Sequence, residues 1–302
     1  MKEKIDIKKI DQLNRRASKI FDLKKVYLNE NFFGDVIKFI KKQNLLPFHH
    51  ITKLLHLSGN KKFPIGIAMI NKENKQIAGF VGTYFSNRSS KNENIIVCNI
   101  HSWIVIKSFR LYSYYLISDF LKKDISLTAF TPVESLKGLL LKLGFKKFSI
   151  KEYFIINTNF FYSKKNKFSV LSNIDETLLN LDEKKNYILK NYLDDIYLKL
   201  ILKDDLGESI LIIGTKVKKR GLNIFKLLYI SNMKLFEKNY KVILNIISRT
   251  FKVFLISKYF MNNEDIFFFK KKYIGFSKTR DLYCKNIHQI ENYDILNSDL
   301  IL

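Results

Sequence analysis

The sequence has few of the residues that form disulfides and structural metal sites. It contains two cysteines, Cys98 and Cys284, in 302 residues, and their separation fits neither a metal-binding pair nor a Cys-x-x-Cys motif. Cys98 lies in an apolar stretch and is predicted to be a buried thiol. The first residues, MKEKIDIKKI, contain no apolar signal core, and no apolar run reaches the length of a membrane span. We therefore expect a reducing, cytoplasmic setting, no metal and no membrane span.

Acidic residues are also scarce, and so is arginine. The chain has 53 Lys and Arg residues against 28 Asp and Glu residues, which gives a formal net charge of +25. Proteins that read nucleic acids concentrate arginine for bidentate contacts, whereas here lysine, isoleucine, asparagine, phenylalanine and tyrosine are abundant together, as an AT-rich coding bias produces. We therefore do not expect nucleic acid as a partner, although a basic surface attracts anionic ligands whatever its origin.

The chain is rich in the residues that build a core. Its hydrophobic content is 47% and its aromatic content is 14%, which is typical of a folded protein. A chain of this length buries a large core and is predicted to form two domains or lobes.

Residues 97–148 carry the most informative pattern: strand, arginine-containing turn, helix, strand, helix, then Leu-Gly-Phe before another strand. Residues 95–106 and 125–130 are apolar and β-branched, which predicts strands. Apolar positions at helical spacing predict an amphipathic helix over residues 110–123; its stripe is Leu111, Tyr114, Tyr115, Ile117, Ser118 and Leu121. A second helix over residues 133–143 ends at Gly144. This alternation predicts an α/β fold with a mixed, partly parallel sheet flanked by helices.

The same stretch resembles a known family. The residues Val-Ile-Lys-Ser-Phe-Arg-Leu-Tyr-Ser-Tyr-Tyr at 105–115, with Gly144-Phe145 further on, resemble the signature of the GNAT-type acyltransferases. In that family the turn reads Val-x-Pro-x-x-Arg-Gly-x-Gly-x-Gly, and a later Gly-Phe closes the second helix. With the predicted strand pair at 65–71 and 76–85, the resemblance spans residues 26–157.

The resemblance implies acetyl-CoA or another acyl-CoA as co-substrate, because main-chain N–H groups at this turn hold the CoA pyrophosphate. It also implies that an N–H group of the preceding strand stabilises the oxyanion. The cofactor-binding residues implied are Ile104, Val105, Arg110, Leu111, Tyr112, Ser113, Tyr114 and Tyr115. The sequence departs from the signature at several positions: Lys107 stands for the proline, Leu111, Ser113 and Tyr115 for glycines, and Leu140 for the tyrosine that protonates the departing thiolate.

Acyl transfer requires a base, an oxyanion donor and an acid. His101 is the best candidate base, with a pKa near the working pH. Strand alternation predicts that His101 shares its face with Trp103 and Val105, with Ser102 on the other face. A hydrogen-bonded core histidine is the alternative. Glu134 is either a carboxylate at a helix start or a base near the acyl group.

Three further histidines lie in the segment LPFHHITKLLHLSG, before the first predicted strand of the pair. In the family that the chain resembles, this region covers the acceptor pocket. His49 and His50 are therefore candidate acceptor contacts, with a polar loop as the alternative. Neither forms an i,i+4 metal pair with His56.

The second half repeats the order of the first. A helix over 175–193, a hairpin around Asp204-Asp205-Leu206-Gly207, a strand over 225–230 and a helix over 234–250 capped by Ser231-Asn232 are predicted. They are followed by a strand over 251–257, Gly275-Phe276 and a last strand over 278–285. We interpret this half as a degenerate GNAT-like lobe, with an unrelated α+β domain as the alternative. The predicted organisation is a basic N-terminal helix or arm (1–24), a cofactor lobe (25–160), a linker (161–172) and a second lobe (173–302).

Three functions follow from these observations. The first is transfer of an acyl group from acyl-CoA to an amine or hydroxyl of a small metabolite. The resemblance to the GNAT-type acyltransferases suggests the acceptor by analogy, for example an amino sugar or another surface-polysaccharide precursor. The second is a GNAT-shaped binding or assembly module without catalysis, which the missing glycines and tyrosine favour. The third is a basic protein associated with nucleic acid, which the net charge alone supports.

Overall fold

The computed structural model divides into two compact units. Unit 1 comprises Met1–Phe148, Asp281–Tyr293 and Ile301–Leu302, and unit 2 comprises Ser149–Arg280 and Asp294–Leu300. The structure describes residues 7–43, 55, 63–90, 93–121, 123, 125–130, 132–157, 168–171, 198–219, 221–260 and 275–286. The sequence predicts lobes over residues 25–160 and 173–302. In the structure, residues 281–293 belong to unit 1 and not to the second lobe.

The described part of unit 1 contributes six strands to a mixed sheet, as the alternation of strands and helices predicts. Its strands are, in spatial order, β1 (Phe21–Val26), β2 (Gly66–Asn71), β3 (Ile77–Ser90), β4 (Glu93–Val105), β5 (Ser126–Phe130) and the end of β12 (Gly275–Lys285). Strands β4 and β5 pair in parallel, and all other neighbours in this sheet pair antiparallel. The predicted strand pair around residues 72–75 is confirmed as β2 and β3.

Helices cover both faces of this sheet. Helix α2 (Asn31–Gln43) packs Val36, Phe39 and Ile40 against Ala68, Phe80 and Ile104, and we call this side the α2 face. The opposite side, the α4 face, carries Ile67, Ile100 and Val105 and packs against Leu116 and against Leu140 of α4 (Glu134–Lys142). Helix α1 (Ile7–Ile20) comes before β1 in the chain. Gly144 ends α4 with a φ of 82°, as its predicted capping role requires.

The segment after β4 is not the amphipathic α-helix predicted over residues 110–123. It is a 3₁₀ helix over Lys107–Ile117, followed by a single α-helical turn, α3 (Ser118–Leu121). Its many aromatic residues have lower helix propensity than straight-chain residues, and a 3₁₀ helix has three residues per turn. The predicted stripe is therefore only partly buried: Tyr114 and Ile117 lie in the core, but Leu111 is 75% exposed.

Unit 2 repeats the strand order of unit 1. Its strands are, in spatial order, β7 (Phe168–Leu171), β8 (Leu198–Asp204), β9 (Ser209–Lys219), β10 (Leu222–Ile230), β11 (Leu255–Phe260) and β6 (Lys146–Ile156) from Ser149 onward. Among the described strands of unit 2, only β10 and β11 are parallel neighbours, so β10 and β11 correspond to β4 and β5. Helix α5 (Met233–Phe251) covers one face with Phe236, Ile243 and Ile247.

Several local predictions for unit 2 are confirmed, and two are wrong. The hairpin forms with Gly207 at a φ of 86°, and the Asp204 carboxylate accepts N–H bonds from Leu206 and Glu208. The strand predicted to begin at residue 251 begins at Leu255, because α5 continues to Phe251. Gly275 is the first residue of β12 and not part of a turn before it. The predicted helix over 175–193 lies outside the described residues.

Candidate functional site

Strand β4 leaves β5 halfway along its length. The two strands pair only at Val97–Ser126, Cys98–Leu127 and Asn99–Thr128, whereas β4 stays paired with β3 up to Val105. Within the described part of the chain, the side of β4 that faced β5 therefore meets no strand from residue 100 to residue 105. This opening places free backbone groups of β4 beside the start of the 3₁₀ helix.

The backbone of β4 shows which of the two predicted oxyanion donors faces the opening. The N–H group of Ile106 donates to the carbonyl oxygen of Ala78 in β3, at 3.0 Å. Because N–H groups point to alternate sides along a strand, Ile104 also points toward β3 and Val105 points away from it. The N–H group of Val105 therefore lies at the open side.

A β-bulge interrupts β4 next to this opening. Phe80 pairs with Ile104, but Gly82 pairs with His101, so Ser102 and Trp103 together oppose Val81. Ser102 has a φ of 48°, a left-handed conformation that is uncommon for residues other than glycine. Bulges of this kind redirect side chains and are frequent beside active sites.

The bulge makes the predicted face of His101 wrong. Trp103 and Val105 pack on the α4 face, whereas His101 pairs with Gly82, two residues from Phe80 on the α2 face. The extra residue in β4 shifts the alternation by one, so His101 and Val105 point their side chains to opposite faces.

His101 is buried and neutral. The residue is 5% exposed, and burial lowers the pKa of its side chain to about 4. This pKa is below the value near the working pH that the sequence predicts for a base. Nδ1 lies 3.0 Å from the hydroxyl oxygen of Ser102, and Nε2 has no hydrogen-bond partner among the described residues. One ring nitrogen thus contacts Ser102, and the other has no partner in the described part of the chain.

The turn after β4 has no side-chain cap. Ile106 precedes the 3₁₀ helix with φ and ψ of −55° and 138°, and its side chain makes no hydrogen bond. The first hydrogen bond of the turn joins the N–H group of Phe109 to the oxygen of Ile106 at 2.9 Å. The N–H groups of Lys107 and Ser108 precede this bond, and Lys107, Ser108 and Arg110 are exposed. A helix start of this kind, flanked by cations, suits a phosphate.

The free donors lie earlier in the chain than the family signature implies. Leu111, Tyr112, Ser113, Tyr114 and Tyr115 are inside the 3₁₀ helix, where i→i+3 hydrogen bonds use the N–H groups. Tyr112 and Tyr115 are half-buried against the core of the α4 face, and Tyr114 is buried in it. The tyrosines in this region thus pack toward the sheet and leave the start of the turn uncovered.

Buried polar groups near the turn also stand without partners. The indole N–H of Trp103, the hydroxyl of Tyr114 and the side-chain amide of Asn14 are buried and make no hydrogen bond within the described part of the chain. Burial, reinforced by Tyr112 and Tyr115, raises the pKa of Tyr114 to about 12, so its hydroxyl remains protonated. Sequence patterns do not reveal these groups, since Trp103 and Asn14 lie in amphipathic elements that predict ordinary core positions.

Solved structures resemble this chain along most of its length, although no protein-family model and no curated protein matches the sequence. N-myristoyltransferase of Saccharomyces cerevisiae, with bound myristoyl-CoA, matches 88% of this chain and 82% of its own, with a TM-score of 0.53 and 10% identity. A GCN5-related N-acetyltransferase of Kribbella flavida matches 88% and 71%, with a TM-score of 0.56 and 8% identity. A probable N-acyltransferase of Enterococcus faecalis matches 88% and 72%, with a TM-score of 0.55 and 12% identity.

This chain has a GNAT-like fold. The same strand order is found in each unit, which accords with the tandem GNAT-like lobes predicted from the sequence. Tandem lobes are also consistent with the likeness to N-myristoyltransferase. At these identities the likeness concerns the fold, and the residues of the site have to be argued from their own geometry.

The remaining candidates of the GNAT-like lobe lie apart from this opening or outside the described residues. Glu134 begins α4 and pairs with Lys137 at 2.7 Å, and its side chain is 87% exposed. It occupies the helix start, and its role as a base stays a prediction. His49 and His50 lie outside the described residues. From their segment the structure describes Leu55, which is buried in the core of the α2 face, the face that carries His101.

Neither a metal site nor a spanning helix is found in the described ranges. No group of three or more His, Cys, Asp and Glu side chains is arranged there to hold an ion. No helix among those residues combines the length and the apolar character that crossing a membrane requires.

Proposed function

We propose that this protein transfers an acyl group from acyl-CoA to an amine or hydroxyl of a small acceptor, with the chemistry in unit 1. The observation that carries the proposal is the opening of β4 beside the buried His101 and the uncapped turn, in a GNAT-like fold. The fold neighbours support acyl transfer in general, and the acceptor class is taken by analogy with the GNAT-type acyltransferases.

The turn would bind the phosphates of CoA. N–H groups at Lys107 and Ser108 and the guanidinium of Arg110 supply donors and positive charge at one helix start. An arginine at the positive end of a helix is unfavourable unless an anion binds beside it. The net charge of +25 further attracts an anionic co-substrate.

The acyl carbon would lie in the opening between β4 and β5. There the N–H group of Val105 donates a hydrogen bond to the oxyanion of the tetrahedral intermediate. On the α2 face, Nε2 of His101 would accept the proton of the attacking amine or hydroxyl, in the tautomer whose Nδ1 proton is donated to Ser102. Leu140 is fully buried in the core, so no side chain at that position protonates the thiolate, whose thiol has an ordinary pKa of about 8.5 and leaves readily as an anion.

A second function is favoured by two observations. The pKa of His101 is about 4, which makes it a weak base, and Leu140 replaces the usual acid. Both suit a GNAT-shaped module that binds acyl-CoA without transferring the acyl group.

Calorimetry with CoA, acetyl-CoA and long-chain acyl-CoA, followed by thiol release against a panel of amines and hydroxyl compounds, tests both functions. We expect binding, turnover, and a loss of kcat of roughly 10²–10⁴-fold in His101→Gln, with unchanged acyl-CoA affinity. Ser257→Ala, which alters a fully buried polar residue of unit 2, is the control and should leave kcat unchanged.

Binding without turnover would identify the binding module. The absence of binding by every CoA species would refute both functions. Strong binding of a short DNA duplex that weakens steeply with salt would instead support a nucleic-acid partner.

A further inference from the structure

The ring of His101 occupies space that exists only because residue 82 is glycine. Gly82 lies directly opposite His101 in the β3–β4 pairing. A Cβ atom built on Gly82 would overlap Cε1, Nδ1 and Nε2 of that ring. Cross-strand neighbours on one face are about 5 Å apart, so an imidazole that lies flat across its partner strand requires a residue without a side chain there.

The hydroxyl of Ser102 holds the same ring from the other side. Its oxygen lies 3.0 Å from Nδ1 of His101, and its backbone adopts a φ of 48° in the bulge. A left-handed conformation is unfavourable for a residue other than glycine. Such strain persists where the surrounding structure determines the conformation, and here it places a hydroxyl beside the imidazole.

These two contacts leave Nε2 as the ring nitrogen without a partner among the described residues. In the neutral imidazole, one nitrogen carries the proton and the other accepts. In the tautomer with the proton on Nδ1, that proton is donated to the Ser102 oxygen and the lone pair is on Nε2. In the other tautomer, the Ser102 hydroxyl donates to Nδ1 and Nε2 carries the proton.

We propose that Gly82 and Ser102 are positioning residues that hold the His101 ring flat over β3, with Nε2 left as the acceptor for the proton of the nucleophile. The role in catalysis rests on the proposed function, whereas the placement of the ring does not.

The structure offers a matched pair of variants. Gly66 pairs with Gly82 in the next strand, and a Cβ atom there would overlap the ring of Phe80 on the same face and the main-chain oxygen of Val81. Gly82→Ala and Gly66→Ala therefore crowd one face of one sheet, but only Gly82→Ala displaces the imidazole. Gly138→Ala, where an added Cβ atom meets nothing within 4 Å, controls for the change of residue type.

The decisive measurement is a histidine NMR titration in full-length protein, with the His101 signal assigned from His101→Gln. We expect a pKa of about 4 in the wild type, a pKa raised toward that of an exposed histidine in Gly82→Ala, and the wild-type pKa in Gly66→Ala and Gly138→Ala. Turnover should fall at least about tenfold in Gly82→Ala. A wild-type pKa and turnover in Gly82→Ala would overturn the proposal.

Ser102→Gly tests the second contact and serves if Gly82→Ala fails to fold. Glycine accepts the left-handed backbone, so this variant removes the hydroxyl alone. We expect the ring nitrogen shifts to change from one tautomer to a mixture, and a pure wild-type tautomer would contradict the role of Ser102. Because the titration needs no acceptor, missing turnover with the expected pKa changes would refute the proposed function and leave the ring placement established.

Discussion

The two units contain the same strand-to-helix turn, but they finish it differently. In unit 2 the side chain of Asn232 accepts the N–H group of Leu235 at 3.0 Å, and Ser231 exchanges two hydrogen bonds with Leu211 of β9, each 2.9 Å long. In unit 1 the equivalent turn begins with Ile106, whose side chain makes no such bond. The unit 2 turn satisfies its donors internally, whereas the unit 1 turn leaves donors for a ligand.

Buried polar groups show the same difference. In unit 2 the amide of Asn157 donates to Asn245 and Ser248, at 2.9 and 2.8 Å. In unit 1, His101 and Trp103 keep buried nitrogen atoms without partners in the described residues. Because an unsatisfied buried polar group costs about 1–3 kcal/mol, such groups are expected where a ligand completes them. Ser257 is an exception in unit 2.

The largest expected effect tests whether unit 2 depends on its internal polar pairs. Arg280 donates from Nε and Nη2 to one carboxylate oxygen of Glu152, at 2.8 and 2.6 Å, and the Glu152 side chain is 1% exposed. Arg280→Met leaves that carboxylate buried without its cation, so the free energy of unfolding should fall by about 3–5 kcal/mol in chemical denaturation.

The control lies in unit 1. Lys147 pairs with Asp281 at 3.1 Å and is 47% exposed, so Lys147→Met should cost less than about 1 kcal/mol. Replacing both members of the unit 2 pair, Arg280→Met with Glu152→Leu, should restore much of the loss. Equal losses of unfolding free energy in Arg280→Met and Lys147→Met would contradict the expected difference between the buried and the exposed ion pair.

The next effect is a loss of stability at acidic pH. Unit 2 contains no histidine, whereas unit 1 contains His101, whose pKa falls from 6.5 to about 4 on folding. Between these values the unfolded chain binds a proton that the folded chain does not, so the free energy of unfolding decreases as pH decreases, by about 3 kcal/mol in total. Above the unfolded pKa this contribution is fully present.

Chemical denaturation across this pH range, in the wild type and in His101→Gln, measures the contribution. The variant should lose less stability on acidification than the wild type. Hydrogen exchange resolved by residue should show that unit 1 opens first. An equal pH dependence of the two proteins would contradict the buried, neutral histidine.

Local chemistry made much of the fold predictable. The hairpin at Asp204 and the helix end at Gly144 follow from backbone preferences that act over a few residues. The same holds for the cap at Asn232. The mixed sheet followed from the alternation of strands and helices, and the GNAT-like fold from residues around Val105.

The features that the sequence did not predict depend on distant partners. The bulge at Ser102 exists only in register with β3, and it reverses the face of His101. The assignment of residues 281–293 to unit 1 rests on the pairing of β12 with β5, more than 150 residues apart in the chain. The placement of the His101 ring depends on Gly82. Glycine has no side chain, so a motif of functional side chains would not include it.

A smaller effect, on acyl-CoA affinity, is expected when the cation at each of the two helix starts is removed. Arg110 lies in the uncapped turn of unit 1, and Lys234 is the second residue of α5 in unit 2; both are exposed. Arg110→Ala should weaken acyl-CoA binding roughly tenfold, because it removes a charge-assisted hydrogen bond to phosphate. Lys234→Ala should leave the affinity unchanged. Calorimetry at low and high salt should show that the difference shrinks with salt, and equal losses would mean that only net charge matters.

The smallest effects are expected from substitutions at the first residue of each turn, Asn232 in unit 2 and Ile106 in unit 1. Asn232→Ala should lower the free energy of unfolding by about 1 kcal/mol, because the N–H group of Leu235 loses its acceptor, and it should leave acyl-CoA binding unchanged. Ile106→Asn places the same side chain at the start of the unit 1 turn, where it should accept an N–H group that the proposed phosphate needs. Its acyl-CoA affinity should therefore decrease in calorimetry even if its stability increases. An unchanged affinity would mean that the donors of this turn do not bind the co-substrate, because a cap and a phosphate cannot use the same N–H group.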